Sequence, residues 1–310
     1  MKWTGVIPAM TTCFREDGQI DHGFVAQHCR WLVDNGCAGI VTPGSLGEAA
    51  TLSFDERKSV LQTCVRALKG HGSVVAAVSS LSTSESVAFA KAAAEIGCDA
   101  LMVLPPYVYL GDWAEMRAHV GAVFQATPLS CMLYNNPVTY GTDFLPENIE
   151  ELAGRYSNFQ SVKESSMDAR RVSAIRALAG DRLDVFIGVD DAILEGIAVG
   201  AVGWIAGLAN AFPREAVDLF EYGRAGKSKE AFELYRWFLP LLRLDTVPKF
   251  VQLVKLVQQE AEVGNARVRA PRMEITGSEL EATLLVIRQA IKTRPQRAST
   301  AFTQSKQAGT

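Results

Sequence analysis

At 310 residues, with 48% apolar and 21% charged side chains, the chain can bury one large core and is not a disordered polymer. Its 31 basic and 34 acidic residues leave a net charge of −3. With no basic surplus to neutralise phosphates, neither nucleic acid nor an anionic membrane surface is an expected partner.

The six cysteines (Cys13, Cys29, Cys37, Cys64, Cys98 and Cys131) follow no metal or disulfide spacing and read as reduced, mostly buried thiols. The four histidines show no ligand spacing, so no metal site is expected. Met1-Lys2-Trp3-Thr4 does not open a signal peptide, and no apolar run is long enough to span a bilayer. A cytoplasmic protein is expected.

Short apolar runs alternate with longer amphipathic segments. The runs, read as strands, are Gly5–Met10, Ala38–Val41, Ser73–Val78, Ala100–Leu104, Leu129–Tyr134, Phe159–Lys163, Asp184–Gly188 and Gly203–Ile205. Ser53-Phe54-Asp55-Glu56 and Ser82-Thr83-Ser84-Glu85 are capping-box patterns that open helices ending near Gly70 and Gly97. Pro146 suits the first position of another helix, where no donor is needed. Eight strands alternating with helices predict an α/β fold, a (β/α)₈ TIM barrel. The alternative, an open doubly wound sheet, lacks its glycine-rich turn after the first strand.

Further helices are expected at Pro213–Ala225, Lys227–Leu242, Thr246–Val263 and Gly277–Arg294. The expected organisation is therefore a barrel carrying the active site over residues 1–225, a helical C-terminal extension over 226–294, and a disordered polar tail over 295–310.

In such a barrel the chemistry sits where strands end, on the C-terminal face. Three polar features fall there: the Gly44-Ser45-Leu46-Gly47-Glu48 loop, Tyr134 and Lys163. Period-two alternation puts Ser161 and Lys163 on one face and Gln160 and Val162 on the other. If Val162 packs outward against the helices, Lys163 points into the barrel mouth, where desolvation frees its amine to attack a carbonyl. A strand-end lysine more often snorkels to solvent, a strand-end tyrosine more often packs, and a Gly-x-x-Gly turn is common. A carboxylate held on backbone amides would be the functional use of that turn.

Taken together, Gly39–Leu52, Tyr134-Asn135-Asn136-Pro137, Val162-Lys163-Glu164-Ser165, Gly188-Val189-Asp190-Asp191 and Gly203-Trp204-Ile205-Ala206-Gly207 closely resemble the dihydrodipicolinate synthase / N-acetylneuraminate lyase family. The resemblance covers the chain to about Arg294. It implies that Lys163 forms a Schiff base with C2 of a 2-oxo acid and that Tyr134 relays protons. Gly44, Ser45 and the amides around Leu46 would hold the substrate carboxylate, and the Ile205 carbonyl would border C3. Tyr107 and Tyr140 would complete the substrate wall. It further implies no cofactor, a small-molecule 2-oxo acid or cyclic-imine substrate, and a homotetramer.

Three departures bear on the reaction. The synthase pattern has adjacent threonines where this chain has Ser45-Leu46, an arginine where it has Val138-Thr139-Tyr140-Gly141, and paired tyrosines where it has Tyr107-Val108-Tyr109. These argue against a true dihydrodipicolinate synthase. Relatives that keep the imine-forming core act on 4-hydroxylated 2-oxo acids or their cyclic imines. They include 2-keto-3-deoxy sugar acid aldolases and dehydratases, and the deaminase of 4-hydroxy-1-pyrroline-2-carboxylate. Tyr235–Leu242 and Arg267–Arg272 look most like the last group. Two other readings are a catalytically dead 2-oxo acid sensor, which would have no need of the Tyr134–Lys163 pair, and a phosphate- or flavin-binding barrel using Gly200-Ala201-Val202-Gly203.

Overall fold

A computed structural model describes residues 1–295. The tail expected to be disordered lies, apart from Pro295, outside the described residues. Eight parallel strands form one sheet: β1 (Gly5–Pro8), β2 (Gly39–Thr42), β3 (Ser73–Val78), β4 (Ala100–Val103), β5 (Ser130–Asn135), β6 (Phe159–Glu164), β7 (Asp184–Ile187) and β8 (Gly203–Ala206). Hydrogen bonding runs from β2 through β3 to β8 and on to β1. The ends meet: Ala38 N donates to Val6 O and Met10 N to Val41 O, each at 2.9 Å, and Ala9 bridges Val41. This closes the barrel and removes both open edges, so the open-sheet alternative falls.

The strand ends differ slightly from the sequence reading. β5 and β6 each run one residue further, to Asn135 and Glu164, while the first run stops pairing regularly at Pro8, where the chain turns toward β2.

The barrel helices are α1 (His22–Asp34), α2 (Phe54–Leu68), α3 (Thr83–Ile96), α4 (Trp113–Gln125), a single turn α5 (Pro137–Tyr140), α6 (Pro146–Arg155), α7 (Arg170–Ala179), α8 (Ile193–Ala198) and α9 (Pro213–Arg224). Ser53 and Glu56 form the reciprocal capping box expected for α2. At α3, Ser82 Oγ accepts from Glu85 N at 3.2 Å, but the Glu85 carboxylate pairs with Arg57 of α2 instead of returning to the Ser82 backbone. Pro146 occupies the first turn of α6. After the barrel come α10 (Ser228–Leu242), α11 (Phe250–Glu260) and α12 (Gly277–Lys292). No described helix is long and apolar enough to cross a membrane.

Alternation divides the core into two layers. Ile7, Val41, Val75, Met102, Met132, Tyr134, Phe186 and Ile205 fill the barrel interior. Val6, Ile40, Val74, Leu101, Leu133, Val162, Val185 and Trp204 pack outward with the helices. Lys163 pairs in register with Tyr134 on β5 and Phe186 on β7, and partners in a parallel ladder share a face. Its side chain therefore enters the barrel mouth while Val162 packs outward, as alternation predicts.

Candidate active site

The strand ends open into a cavity of about 400 Å³, a size that suits a small metabolite. Its wall includes Gly44, Ser45, Leu46, Tyr134, Tyr140, Lys163 and Ile205, residues drawn from the ends of β2, β5, β6 and β8 and from the turn α5. Tyr107 stands outside this wall, its ring centroid 5.6 Å from that of Tyr140.

Lys163 is buried, and its Nζ lies 3.9 Å from the centroid of the Tyr134 ring. Burial pulls its pKa down from the ordinary lysine value to about 8, against the opposing pull of Asp245 and Asp190. The unprotonated amine that a nucleophile requires is thus far more abundant near neutral pH than in an ordinary lysine. Gly188, just beyond β7, creates the room: a Cβ there would sit 2.4 Å from Lys163 Cε and 2.1 Å from Ser165 Oγ.

The Tyr134 hydroxyl accepts a hydrogen bond from Asn136 Nδ2 at 2.9 Å. Burial pushes its pKa up to about 12, so the phenol carries its proton at neutral pH. Asn136 also caps α5, accepting from Thr139 N at 3.0 Å. The one-turn helix α5 carries Tyr140 to the Ser45 hydroxyl, with which it is hydrogen bonded. Beside this pair, the backbone N–H groups of Ser45 and Leu46 are not spent on backbone carbonyls of the described residues. They are open donors for a carboxylate.

The loop bearing Ser45 is anchored by groups the sequence reading did not single out. Glu48 sits in the left-handed region at φ 59°, a conformation a non-glycine residue rarely holds without support. Support comes from Lys255 of α11, whose Nζ lies 2.9 Å from Glu48 Oε1, with both side chains almost fully buried. Arg269 N donates to Glu48 Oε2 at 2.9 Å, and Lys255 Nζ donates to Thr12 O at 2.8 Å.

Beyond β7, Asp190 fixes the segment after β8. Its carboxylate accepts from Trp204 Nε1 at 3.0 Å, from Leu208 N at 2.8 Å and from Gly207 N. Burial raises its pKa to about 6 despite these donors.

Asp245, from the turn between α10 and α11, also lines the cavity. Nothing local in its sequence marks it, and it is a site residue the sequence reading missed. Ser165 and Asn136, quoted there only as parts of motifs, line the cavity too.

The dihydrodipicolinate synthetase family model matches residues 2–290. The 4-hydroxy-tetrahydrodipicolinate synthase of Agrobacterium fabrum is 32% identical over 280 residues, covering 90% of this chain and 95% of that protein. The enzyme of the same name from Methanococcus aeolicus is 32% identical over 239 residues, 77% of this chain and 82% of its own. Among solved structures, the 4-hydroxy-tetrahydrodipicolinate synthase of Methylacidiphilum fumariolicum superposes with a TM-score of 0.89 at 26% identity, over 94% of this chain and 98% of that one. A putative dihydrodipicolinate synthetase from Pseudomonas aeruginosa gives 0.86 at 29% identity, over 93% and 100%. A closed barrel with a buried lysine at a strand end, matched along nearly its whole described length, places this chain in the dihydrodipicolinate synthetase family, as a lyase of the class I Schiff-base type.

Proposed function

We propose that Lys163 attacks C2 of a 2-oxo acid or its cyclic imine, and that the reaction then removes a hydroxyl from C4, with loss of ammonia when the substrate is 4-hydroxy-1-pyrroline-2-carboxylate. The observation that carries this reading is the buried Lys163 amine, set over the Tyr134 ring in a cavity whose Gly44–Leu46 and Val138–Tyr140 walls carry no charged side chain. Ser45, Gly44 and the Leu46 amide take the substrate carboxylate, with Tyr140 positioning the Ser45 hydroxyl. Tyr134 passes protons beside the imine nitrogen, and Ile205 borders C3. The iminium is the electron sink that acidifies C3.

The choice among family reactions rests on charge. Among the described residues, Lys163 is the one basic group lining the cavity. Condensing pyruvate with aspartate semialdehyde calls for a cation to hold the second carboxylate, and Val138-Thr139-Tyr140 supply none. The names of the relatives favour that condensation as a second reading, and a 2-keto-3-deoxy sugar acid aldolase or dehydratase is a third. A substrate panel scored separately for ammonia, pyruvate and 2-oxoglutarate semialdehyde distinguishes the three. Assembly as a homotetramer belongs to the same reading, and the exposed Val108, Tyr109, Leu110 and Val138 supply apolar surface for it.

A further inference from the structure

One amine and one carboxyl side chain line the cavity among the described residues, Lys163 and Asp245. Asp245 comes from beyond the barrel, at the end of the short turn Arg243–Asp245. Gly207, the first residue after β8, admits it: a Cβ at 207 would lie 2.5 Å from both Asp245 Cγ and Oδ1. Oδ1 is sealed from solvent and has no hydrogen-bond partner in the protein. Lys163 is near enough for each group to feel the other's charge, yet it does not satisfy that oxygen.

A sealed, unpartnered carboxyl oxygen costs stability. Such a group persists in a cavity wall where a ligand supplies the missing partner. The neighbouring Asp190 differs: its carboxylate is saturated by Trp204, Gly207 and Leu208, so it has nothing left to offer a substrate.

We propose that Asp245 is a further catalytic residue, the proton donor to the group that leaves C4 of the substrate. This rests on the 4-hydroxylated reading above. The step begins from the enamine formed once C3 has lost its proton. The nitrogen lone pair re-forms the N=C2 bond, the C2=C3 pair becomes the C3=C4 bond, and the C4–O bond breaks with its electrons going to oxygen. That oxygen takes the Asp245 proton and departs as water. The Asp245 carboxylate left behind faces the cationic iminium on Lys163, whose charge it stabilises, and it regains a proton from water when the iminium is hydrolysed.

Burial, with Asp190 beside it, holds the Asp245 carboxyl far above the usual carboxylate range. That direction favours the protonated carboxyl the step needs. Tyr134 is a weak donor for this step, because its phenol is pushed up to about 12 and an acid works best when its pKa is near the working pH.

The test is Asp245→Asn in the full-length protein, read two ways. Borohydride trapping with pyruvate, which carries no leaving group, should still label Lys163, and that label also reports a folded site. Turnover of 4-hydroxy-1-pyrroline-2-carboxylate should fall by roughly 10²–10⁴-fold, the usual size of a positioned acid, with partial recovery in Asp245→Glu. Unchanged turnover in Asp245→Asn would overturn the assignment. So would loss of the pyruvate adduct, since Asp245 would then serve the lysine or the fold instead of the leaving group. If the wild-type protein itself turns over no 4-hydroxylated substrate, the reading of the reaction fails first, in an arm that does not involve the variant.

Discussion

Tyr134 and Lys163 are register partners on adjacent strands, and the lysine Nζ lies 3.9 Å from the centre of the tyrosine ring. The ring offers its negative π-face to the ammonium, while its hydroxyl, held by Asn136, is the group proposed to transfer protons. The geometry separates two roles within one side chain, so removing the hydroxyl alone should affect one of them. Tyr134→Phe should retain the fold and the aromatic face but lower kcat by roughly 10²–10⁴-fold. Steady-state kinetics beside a far-ultraviolet spectrum check this, and a variant of wild-type rate would remove Tyr134 from the mechanism.

The lysine's depressed pKa sets a pH dependence. Burial favours the neutral amine, so the nucleophilic fraction is small well below pH 8 and reaches half near pH 8. The rate of pyruvate imine formation should therefore rise with pH through about 8 and then level off. A rate that keeps rising toward pH 10 would mean that Lys163 has the pKa of an ordinary solvated lysine.

Ser45 carries the one side-chain hydroxyl in the Gly44–Glu48 loop. A hydrogen bond to a charged group contributes about 1.5–3 kcal/mol, so Ser45→Ala should lower kcat/KM roughly tenfold to a hundredfold. Binding of the 2-oxo acid, measured by trapping at graded pyruvate concentrations, should weaken in parallel. An unchanged concentration dependence would move the carboxylate elsewhere.

The Glu48–Lys255 pair ties the loop to α11 deep in the protein. Removing one member of a buried pair strands the other charge and costs about 3–5 kcal/mol. Lys255→Met should therefore lower the urea midpoint strongly, and adding Glu48→Gln should restore part of the loss. Equal stability of the single and double variants would show that the two charges are not coupled.

Much of the barrel is legible in the sequence because its signals are local. Strand runs, the Ser53–Glu56 capping box and Pro146 at a helix start act within a few residues, and the inward aim of Lys163 follows from alternation over five. Asp245 and Lys255 are different. They follow the last barrel strand, which ends at Ala206, by 39 and 49 residues, and reach the site only because α10 and α11 fold back over the strand ends. In Leu244-Asp245-Thr246-Val247-Pro248 an aspartate reads as an ordinary helix boundary, and in α11 a lysine reads as a solvated face. The single turn α5 is likewise too short to show a period, although Asn136 and Pro137 together make a cap. Glu85 illustrates a local signal overridden from outside, its carboxylate drawn off by Arg57.

The reaction itself is open to a direct comparison. Incubation with 4-hydroxy-1-pyrroline-2-carboxylate should release ammonia, whereas pyruvate with aspartate semialdehyde should condense slowly or not at all. Efficient condensation with no ammonia release would assign this chain the activity named for its Agrobacterium and Methanococcus relatives.

Imine formation at Lys163 is open to direct capture. Incubation with pyruvate followed by borohydride, digestion and peptide mass analysis should place one reduced pyruvyl group on the peptide containing Lys163, and Lys163→Ala should lose the adduct and the activity together. A pyruvyl group on a different lysine, or full activity in Lys163→Ala, would contradict it.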